Sequence, residues 1–249
     1  MKPVISTPEE EKRVPLNAYI SQAGYCSRRQ AVLLIKEGQV KVNGRTVTSP
    51  AYRVQENDKV TVKGKHVKPN TSLVYIVLNK PAHVITTARD EQNRPTVMDL
   101  IGTLSVRVYP VGRLDTNTTG LLLLTNDGEL AQRLSHPRYE VDKKYRVTLN
   151  RAIPAEALEH IRKGIVLSDG PVQVNEIEYV YPTIDNEIFV RLHSGKNRII
   201  RRIFESLGYF IKQLDRVEYA GLTKRGLAQG AWRYLSHAEL ERIKRRYKG

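Results

Sequence analysis

Residues 112–128 read GRLDTNTTGLLLLTNDG. Asp115 follows an Arg-Leu pair, a Thr/Asn-rich turn comes next, and Leu121–Leu124 are apolar enough for a buried strand. Two readings of Asp115 are open. Short polar side chains around Thr-Asn-Thr-Thr-Gly make good turn chemistry, because they bond to nearby backbone. Alternatively, the carboxylate stands at the edge of a desolvated site, where it stays ionised only beside a cation or several donors. Arg113, two residues upstream, is one such cation.

On either side of this stretch, strands interleave with short helices. LVYIVLNKP (73–81) reads as a strand, VMDLIG (97–102) as a short helix, and ELAQRLSHP (129–137) as a helix stopped by Pro137. KKYRVTL (143–149), VQVNEIEYV (172–180) and EIFVRLHSG (187–195) read as strands. PAEALEHIRKG (154–164) has Pro near its start and Gly past its end, the usual helix asymmetry. NRIIRRIFESLG (197–208) is a helix ending at Gly208, and SHAELERIKRRYKG (236–249) closes the chain as a basic helix. Several strands in hairpin-like succession predict an α+β fold with a mixed, largely antiparallel sheet flanked by helices.

Residues 14–64 form a smaller unit of αββ type. LNAYISQAG is a short helix ending at Gly24; Ser27 caps SRRQAVLLIKEG, whose Ala31, Leu34 and Ile35 share one face. VKVNGRTVTS alternates about Asn43-Gly44, a strong hairpin signal, and DKVTVKG adds a strand. Residues 65–72, KHVKPNTS, read as a linker, residues 73–249 as the second domain, and residues 1–13 as a disordered tail.

The chain carries 41 Lys and Arg against 26 Asp and Glu, a formal charge of +15, and residues 1–70 alone hold +7. Such a surplus points to polyanions, since each cation that neutralises a phosphate releases condensed counterions. One cysteine, Cys26, excludes an internal disulfide and a thiolate zinc cluster. No stretch approaches the roughly 20 apolar residues of a membrane span. The N-terminus lacks a signal peptide's apolar core, so the expected setting is cytoplasmic, and the sequons at Asn70 and Asn117 carry no weight. Phosphate-cradling glycine loops, GxSxG, HExxH and metal-ligand histidine spacings do not occur, which sets those sites aside.

Further candidates come from two places. In the helix 196–207, Ile200, Ile203, Phe204 and Leu207 form a core stripe, with Arg198, Arg201 and Arg202 beside it. Arg198 and Arg202 are either a solvated basic face or RNA contacts. Arg201 lies nearer the apolar boundary, where a guanidinium can pack its stem and pair with a carboxylate. Tyr145, between Lys143, Lys144 and Arg146, is either sheet surface or a platform for an unpaired base.

Taken in order, these stretches resemble the bacterial ribosomal RNA pseudouridine synthases that modify single uridines. GRLDTNTTGLLLLTNDG resembles their catalytic signature, and LNKP followed by RPTVMDLIG resembles the opening of their catalytic domain. DKKYRV resembles the stretch carrying their tyrosine, and SGKNRIIRRIFESLGYFIKQLDRV their closing motif. SRRQAVLLIKEGQVKVNG resembles the S4-like RNA-binding domain that precedes catalysis in this branch. The likeness spans roughly residues 14–245. One departure is His83 in KPAHVIT, where the family commonly has Gly.

The resemblance implies isomerisation of uridine to pseudouridine in ribosomal RNA without metal or cofactor. Asp115 would be the essential carboxylate, Arg201 its partner, and Tyr145 a uracil-packing group and base. Arg113, Leu214, Arg198, Arg202 and Lys80 would contact substrate. Arg28, Arg29, Lys36, Lys41, Asn43 and Arg45 would contact RNA. A stem-loop of 23S rather than 16S rRNA is favoured by the S4-like domain and the basic C-terminal helix, with the protein acting as a monomer.

Two rivals remain. A non-catalytic RNA-binding or ribosome-assembly protein would share the charge and the small domain, but needs no Asp, Tyr and Arg in the family's order. A two-metal nuclease would need clustered carboxylates, and Asp99, Asp115 and Asp127 show no grouping in sequence.

Overall fold

In the computed structural model, residues 13–69 and 72–248 are described. The tail expected over residues 1–13 therefore lies outside them except for Arg13, as do residues 70 and 71 of the expected linker. The chain divides into two compact units. One runs through Leu73 and includes Ser105–Arg107; the other comprises Val74–Leu104 and Val108–Gly249.

The first unit holds α1 (Leu16–Gln22), α2 (Arg28–Lys36) and a four-stranded antiparallel sheet in the order β2-β1-β3-β4. Its strands are β1 (Val40–Val42), β2 (Arg45–Thr46), β3 (Val60–Val62) and β4 (Lys65–Val67). Ser27 Oγ accepts from Gln30 N at 3.2 Å, as the capping pattern requires. Asn43 and Gly44 both take positive φ, 51° and 80°, which joins β1 to β2 in a two-residue turn. Lys63 and Gly64 repeat that geometry at 49° and 77°. Residues 65–67, read above as the start of a linker, therefore fold back as β4 onto β3 and bury Val67. Their polar composition suits an edge strand, which is why the turn signal in Lys-Gly was missed.

The second unit is built on a nine-stranded mixed sheet, seven of whose strands follow the order β11-β12-β8-β13-β7-β5-β15. The strands are β5 (Tyr75–Lys80), β6 (Tyr109–Pro110), β7 (Thr118–Thr125), β8 (Lys143–Leu149), β11 (Glu176–Tyr181), β12 (Ile184–Leu192), β13 (Ile211–Tyr219), β14 (Leu222–Thr223) and β15 (Trp232–Tyr234). β6 pairs with β7 and β14 with β13. Only β13 and β7 run parallel; every other pair is antiparallel. Helices α3 (Val97–Ile101), α4 (Gly128–Ser135), α5 (Ala155–Lys163), α6 (Ile199–Glu205) and α7 (His237–Arg246) accompany it. The expected α+β class and largely antiparallel sheet are what the chain forms.

Between α5 and β11 a small hairpin, β9 (Ile165–Leu167) with β10 (Gly170–Val172), interrupts the strand expected over 172–180. Val172 and Val174 are buried two residues apart, but the next buried position is Ile177, three further on. One strand cannot keep a period of two across that slip, so the segment breaks.

Two apolar clusters stabilise the sheet. One gathers Val147, Val190, Ile200, Ile203 and Phe204 from β8, β12 and α6; the other Val77, Leu121, Leu123, Leu130 and Ile243 from β5, β7, α4 and α7. Leu121–Leu124 are all fully buried, so β7 is covered on both faces. The seam between the clusters is where β13 lies between β7 and β8.

Candidate active site

The leucine run fixes where Asp115 goes. Because β7 is buried on both sides, its N-terminal end at Thr118 opens into the seam, and the loop before it carries Asp115. That loop is pinned from three directions. Thr86 Oγ1 donates to the Leu114 carbonyl at 2.8 Å and accepts from Leu114 N at 3.3 Å. The Thr116 carbonyl accepts from His83 N at 2.9 Å and from Lys80 Nζ at 3.1 Å. Thr118 N donates to the Asp115 carbonyl at 3.0 Å. The Asp115 side chain itself is half-buried, and among the described residues it makes no hydrogen bond or ion pair.

A cavity of about 190 Å3 opens at this point. Asp115, Tyr145, Arg201, Leu214, Arg113 and Arg198, far apart in the chain, all line it. An adjoining recess of about 350 Å3 shares Arg113, Leu114, Asp115, Arg198 and Arg201, so the carboxylate stands on the wall between two hollows. Tyr145 lies on β8 opposite Arg216 of β13, and Leu214 lies between Val147 of β8 and Thr118 of β7. Arg198 starts α6 in the left-handed conformation, φ 48°, which turns the chain into the helix at the cavity mouth.

The expected Asp115–Arg201 partnership takes a looser form. The two groups interact through charge, yet no ion pair within 4.0 Å joins them, and Arg201 Nη1 makes one long contact with the Ile211 carbonyl. Burial and the neighbouring Arg198 push the Arg201 guanidinium below its ordinary value, while Asp115 and Glu205 pull it back. Both charges are thus left with unused hydrogen-bonding capacity facing the cavity.

Two expected substrate contacts, Lys80 and Arg202, stand away from the cavity, and Asn43 is engaged within the first unit. Lys80 is fully buried and does not line the cavity; its Nζ donates to the Pro81 and Thr116 carbonyls, so it holds the Asp115 loop rather than substrate. Arg202 points to the β9–β10 turn, where it grips Asp169 with both Nη atoms. That pairing pulls the Asp169 carboxyl down to about 2. Asn43 spends its side chain on Asp58 Oδ1 and Lys59 N, closing its own hairpin against the chain before β3. Arg28, Arg29, Lys36, Lys41 and Arg45 are all exposed on the first unit.

Sequence reasoning missed much of the cavity's rear wall. His193 Nε2 bonds to Asp142 Oδ1 at 2.8 Å, and Asp142 also pairs with Arg246 of α7. Lys143 Nζ donates to the Val141 and His193 carbonyls, and Arg216 is buried beside it. His193 carried only its place next to SGKNR as a signal, and Arg216 only its place near the end of the closing motif. His83, the departure from the family pattern, adopts φ 63°, a conformation suited to glycine.

Lys80 supplies a test of the loop latch. Burial pushes it down from 10.5 to about 8, with the Asp115 charge opposing the fall. Between those values the unfolded chain holds a proton that the folded chain has released, so stability should climb with pH across this window. Lys143, also held at about 8, contributes with the same sign. Lys80→Met should remove about 1–3 kcal/mol of that climb between pH 7.5 and 10.5, read by urea denaturation at both pH values. The loosened loop should cost about 10- to 100-fold in kcat.

The carboxylates a two-metal nuclease would need are otherwise engaged. Asp99 closes the capping box of α3, and Asp127 caps α4 while accepting from Tyr75 Oη at 2.8 Å. Among the described residues, no group of three or more His, Cys, Asp or Glu is placed to hold a metal ion, and no helix is long and apolar enough to cross a membrane.

Comparison with known proteins bears on the family of the chain. Residues 74–206 match the family model described as RNA pseudouridylate synthase, and residues 14–60 match the S4 domain. The ribosomal large subunit pseudouridine synthase B of Bacillus subtilis (strain 168) is 41% identical over 232 residues, covering 92% of this chain and 95% of its own. An uncharacterised RNA pseudouridine synthase of Aquifex aeolicus (strain VF5) is 40% identical over 233 residues, covering 92% and 93%. A crystal structure of a pseudouridylate synthase superposes with a TM-score of 0.67 at 25% identity, over 92% of this chain and 99% of that one. With its family model matched over residues 74–206, an S4 domain before it and relatives about 40% identical over nearly their whole length, the chain belongs to the RNA pseudouridylate synthase family.

Proposed function

We propose that this protein converts a uridine of large-subunit ribosomal RNA to pseudouridine, with Asp115 as the reacting carboxylate. The observation that carries this reading is the convergence of Asp115, Tyr145 and Arg201 on one cavity from a loop, a strand and a helix. The large subunit is favoured because the Bacillus subtilis relative bears that substrate in its name.

In this reading the nucleotide leaves its stack, which costs a few kcal/mol in a duplex and less in the loop of a stem-loop. The uracil enters the cavity between Tyr145 and Leu214. Asp115 acts at the nucleoside as the C1′–N1 bond breaks and N1 keeps the electron pair; the base turns over, C1′ bonds to C5, C5 gives up its hydrogen as a proton, and N1 takes a proton up from water. Tyr145 packs on the ring and serves as the base for C5, its phenolic proton passing to solvent as it accepts the one from carbon. Arg201 keeps the site's charge balanced around Asp115, a preorganised field rather than a tight pair. Arg113 and Arg198, exposed at the mouth, meet the flanking phosphates.

The test is tritium release from 23S rRNA labelled at uracil C5. Wild type should release it; absence of release from 23S rRNA and from assembling large-subunit particles would overturn the reading in favour of a non-catalytic RNA binder.

The first unit is assigned to phosphate binding through Arg28, Arg29, Lys36, Lys41 and Arg45. Replacing all five by Gln should flatten the plot of log affinity against log salt by about 0.7–0.9 for each phosphate no longer neutralised. Filter binding at several salt concentrations measures this. Asn43→Ala, by contrast, should lower the stability of that unit with no change of slope.

A further inference from the structure

Among the cations that line the cavity, the buried Arg216 has been given no role. Arg216 is 2% exposed, yet it lines the cavity. Its Nε is spent on the Leu121 carbonyl at 2.7 Å, and its guanidinium lies 4.4 Å over the Tyr219 ring. Its Nη2 is buried and has no acceptor among the described residues. A buried charged donor without an acceptor is a costly arrangement, and chains retain one where something else supplies the acceptor.

The position of Arg216 says what that acceptor is. In the sheet it stands directly opposite Tyr145, so the two side chains rise from the same face of neighbouring strands. The β13–β8 register shifts immediately after this pair, between Arg216 and Glu218, a bulge of the kind that aims a side chain into a site. Lys143, two residues before Tyr145 on the same face, lies close enough to feel the Arg216 charge. The cavity wall beside Tyr145 is therefore cationic, and Asp115 stands on a different element, the loop before β7. The ring of a uracil brings two carbonyl oxygens as acceptors to such a wall, while the exposed Arg113 and Arg198 are placed to meet phosphates from solvent.

We propose that Arg216 contacts the substrate: its guanidinium donates to a ring carbonyl of the target uracil while Tyr145 packs against the ring. The inference rests on the reading given under Proposed function. As the C1′–N1 bond breaks, the electron pair left on the base spreads onto the carbonyl oxygens, and a donor aimed at one of them binds the detached base more strongly than the intact nucleoside. Arg216 should thus act on kcat more than on KM.

The experiment uses the 23S rRNA fragment in which wild type releases tritium, ligated to carry a single 5-tritiated target as uridine, 2-thiouridine or 4-thiouridine. Sulfur is a weaker acceptor than oxygen. One of the two thio substrates should react about tenfold more slowly with wild type. Arg216→Lys should lower kcat on uridine by about 10- to 100-fold, with KM within about threefold, and should lose the thio penalty. A role confined to the Leu121 bond and the Tyr219 stack would leave the thio penalty intact. Arg216→Gln, which keeps a donor for Leu121, is run in parallel in case the lysine variant does not fold. Wild type that ignores both thio substitutions overturns the proposal whatever the variants do, and so does a penalty that persists in a folded variant. Failure of wild type on unmodified uridine overturns the functional reading instead, so the two failures are distinguishable.

Discussion

Asp115→Asn is expected to lower the rate of tritium release by about ten-thousandfold or more, with RNA affinity unchanged or slightly tighter. The size follows from removing the group that acts on the nucleoside, since the remaining side chains bind and orient but do not replace it. The direction of the affinity change follows from charge. Arg113, Arg198 and Arg201 share the cavity with Asp115, and neutralising the one carboxylate among them makes the mouth more attractive to phosphate. Stability should hold within about 0.5 kcal/mol, because the side chain makes no hydrogen bond or ion pair among the described residues. A further readout is Lys80, which Asp115 helps to keep charged; in the variant it should titrate lower still. Parallel titrations of binding and turnover decide the matter, and substantial residual turnover in a folded variant removes Asp115 from the reacting role.

Gly120→Ala is expected to destabilise the second unit by about 3 kcal/mol or more, lowering its melting temperature by about 6–12 °C. Gly120 lies in β7 with φ 105°, between Lys80 of β5 and Arg216 of β13. A Cβ built there would stand 2.3 Å from the Arg216 carbonyl oxygen and 2.6 Å from its nitrogen. These are backbone atoms of a central strand, so no side chain can swing aside to make room. The parallel seam of β7 and β13 would have to open, and with it the placement of Leu214 and Arg216 against Tyr145. Activity should therefore fall with stability, unlike Asp115→Asn. Calorimetry on both variants separates the two cases; a Gly120→Ala protein that melts with wild type would show that the strands are not so closely apposed.

The two variants mark the boundary of what could be read from the chain. Asp115 was legible because a polar turn ahead of four leucines is a local pattern, and because Tyr145 and Arg201 follow in the order of a known family. Gly120 looked like the end of that turn. That it lies within the strand, opposite Arg216, depends on a segment 96 residues later, as Asp215 is from its hydrogen-bond partner Thr119. Lys80 was taken as a substrate contact on the family resemblance of its LNKP stretch; its latch to the Thr116 carbonyl spans 36 residues. Arg202 was read with Arg198 as a basic face or RNA contact, but Asp169 in a hairpin that the sequence did not suggest takes it away from the cavity.

By itself the sequence determined the α+β class, the capped helices, the Asn43-Gly44 hairpin, the buried run of β7 and the loop that carries Asp115 ahead of it. Helix caps, tight turns and hydrophobic period are decided within a few residues, by short-range sterics and local hydrogen bonds. Tertiary structure alone decided that Lys80 would be buried as a latch, that Arg202 would leave the site, that Arg201 would face Asp115 without closing on it, and that Arg216 would stand beside Tyr145. Each of these depends on the register of strands distant in the chain. A shift of one residue turns every side chain to the opposite face, and that register is set only when the whole sheet buries its two apolar clusters.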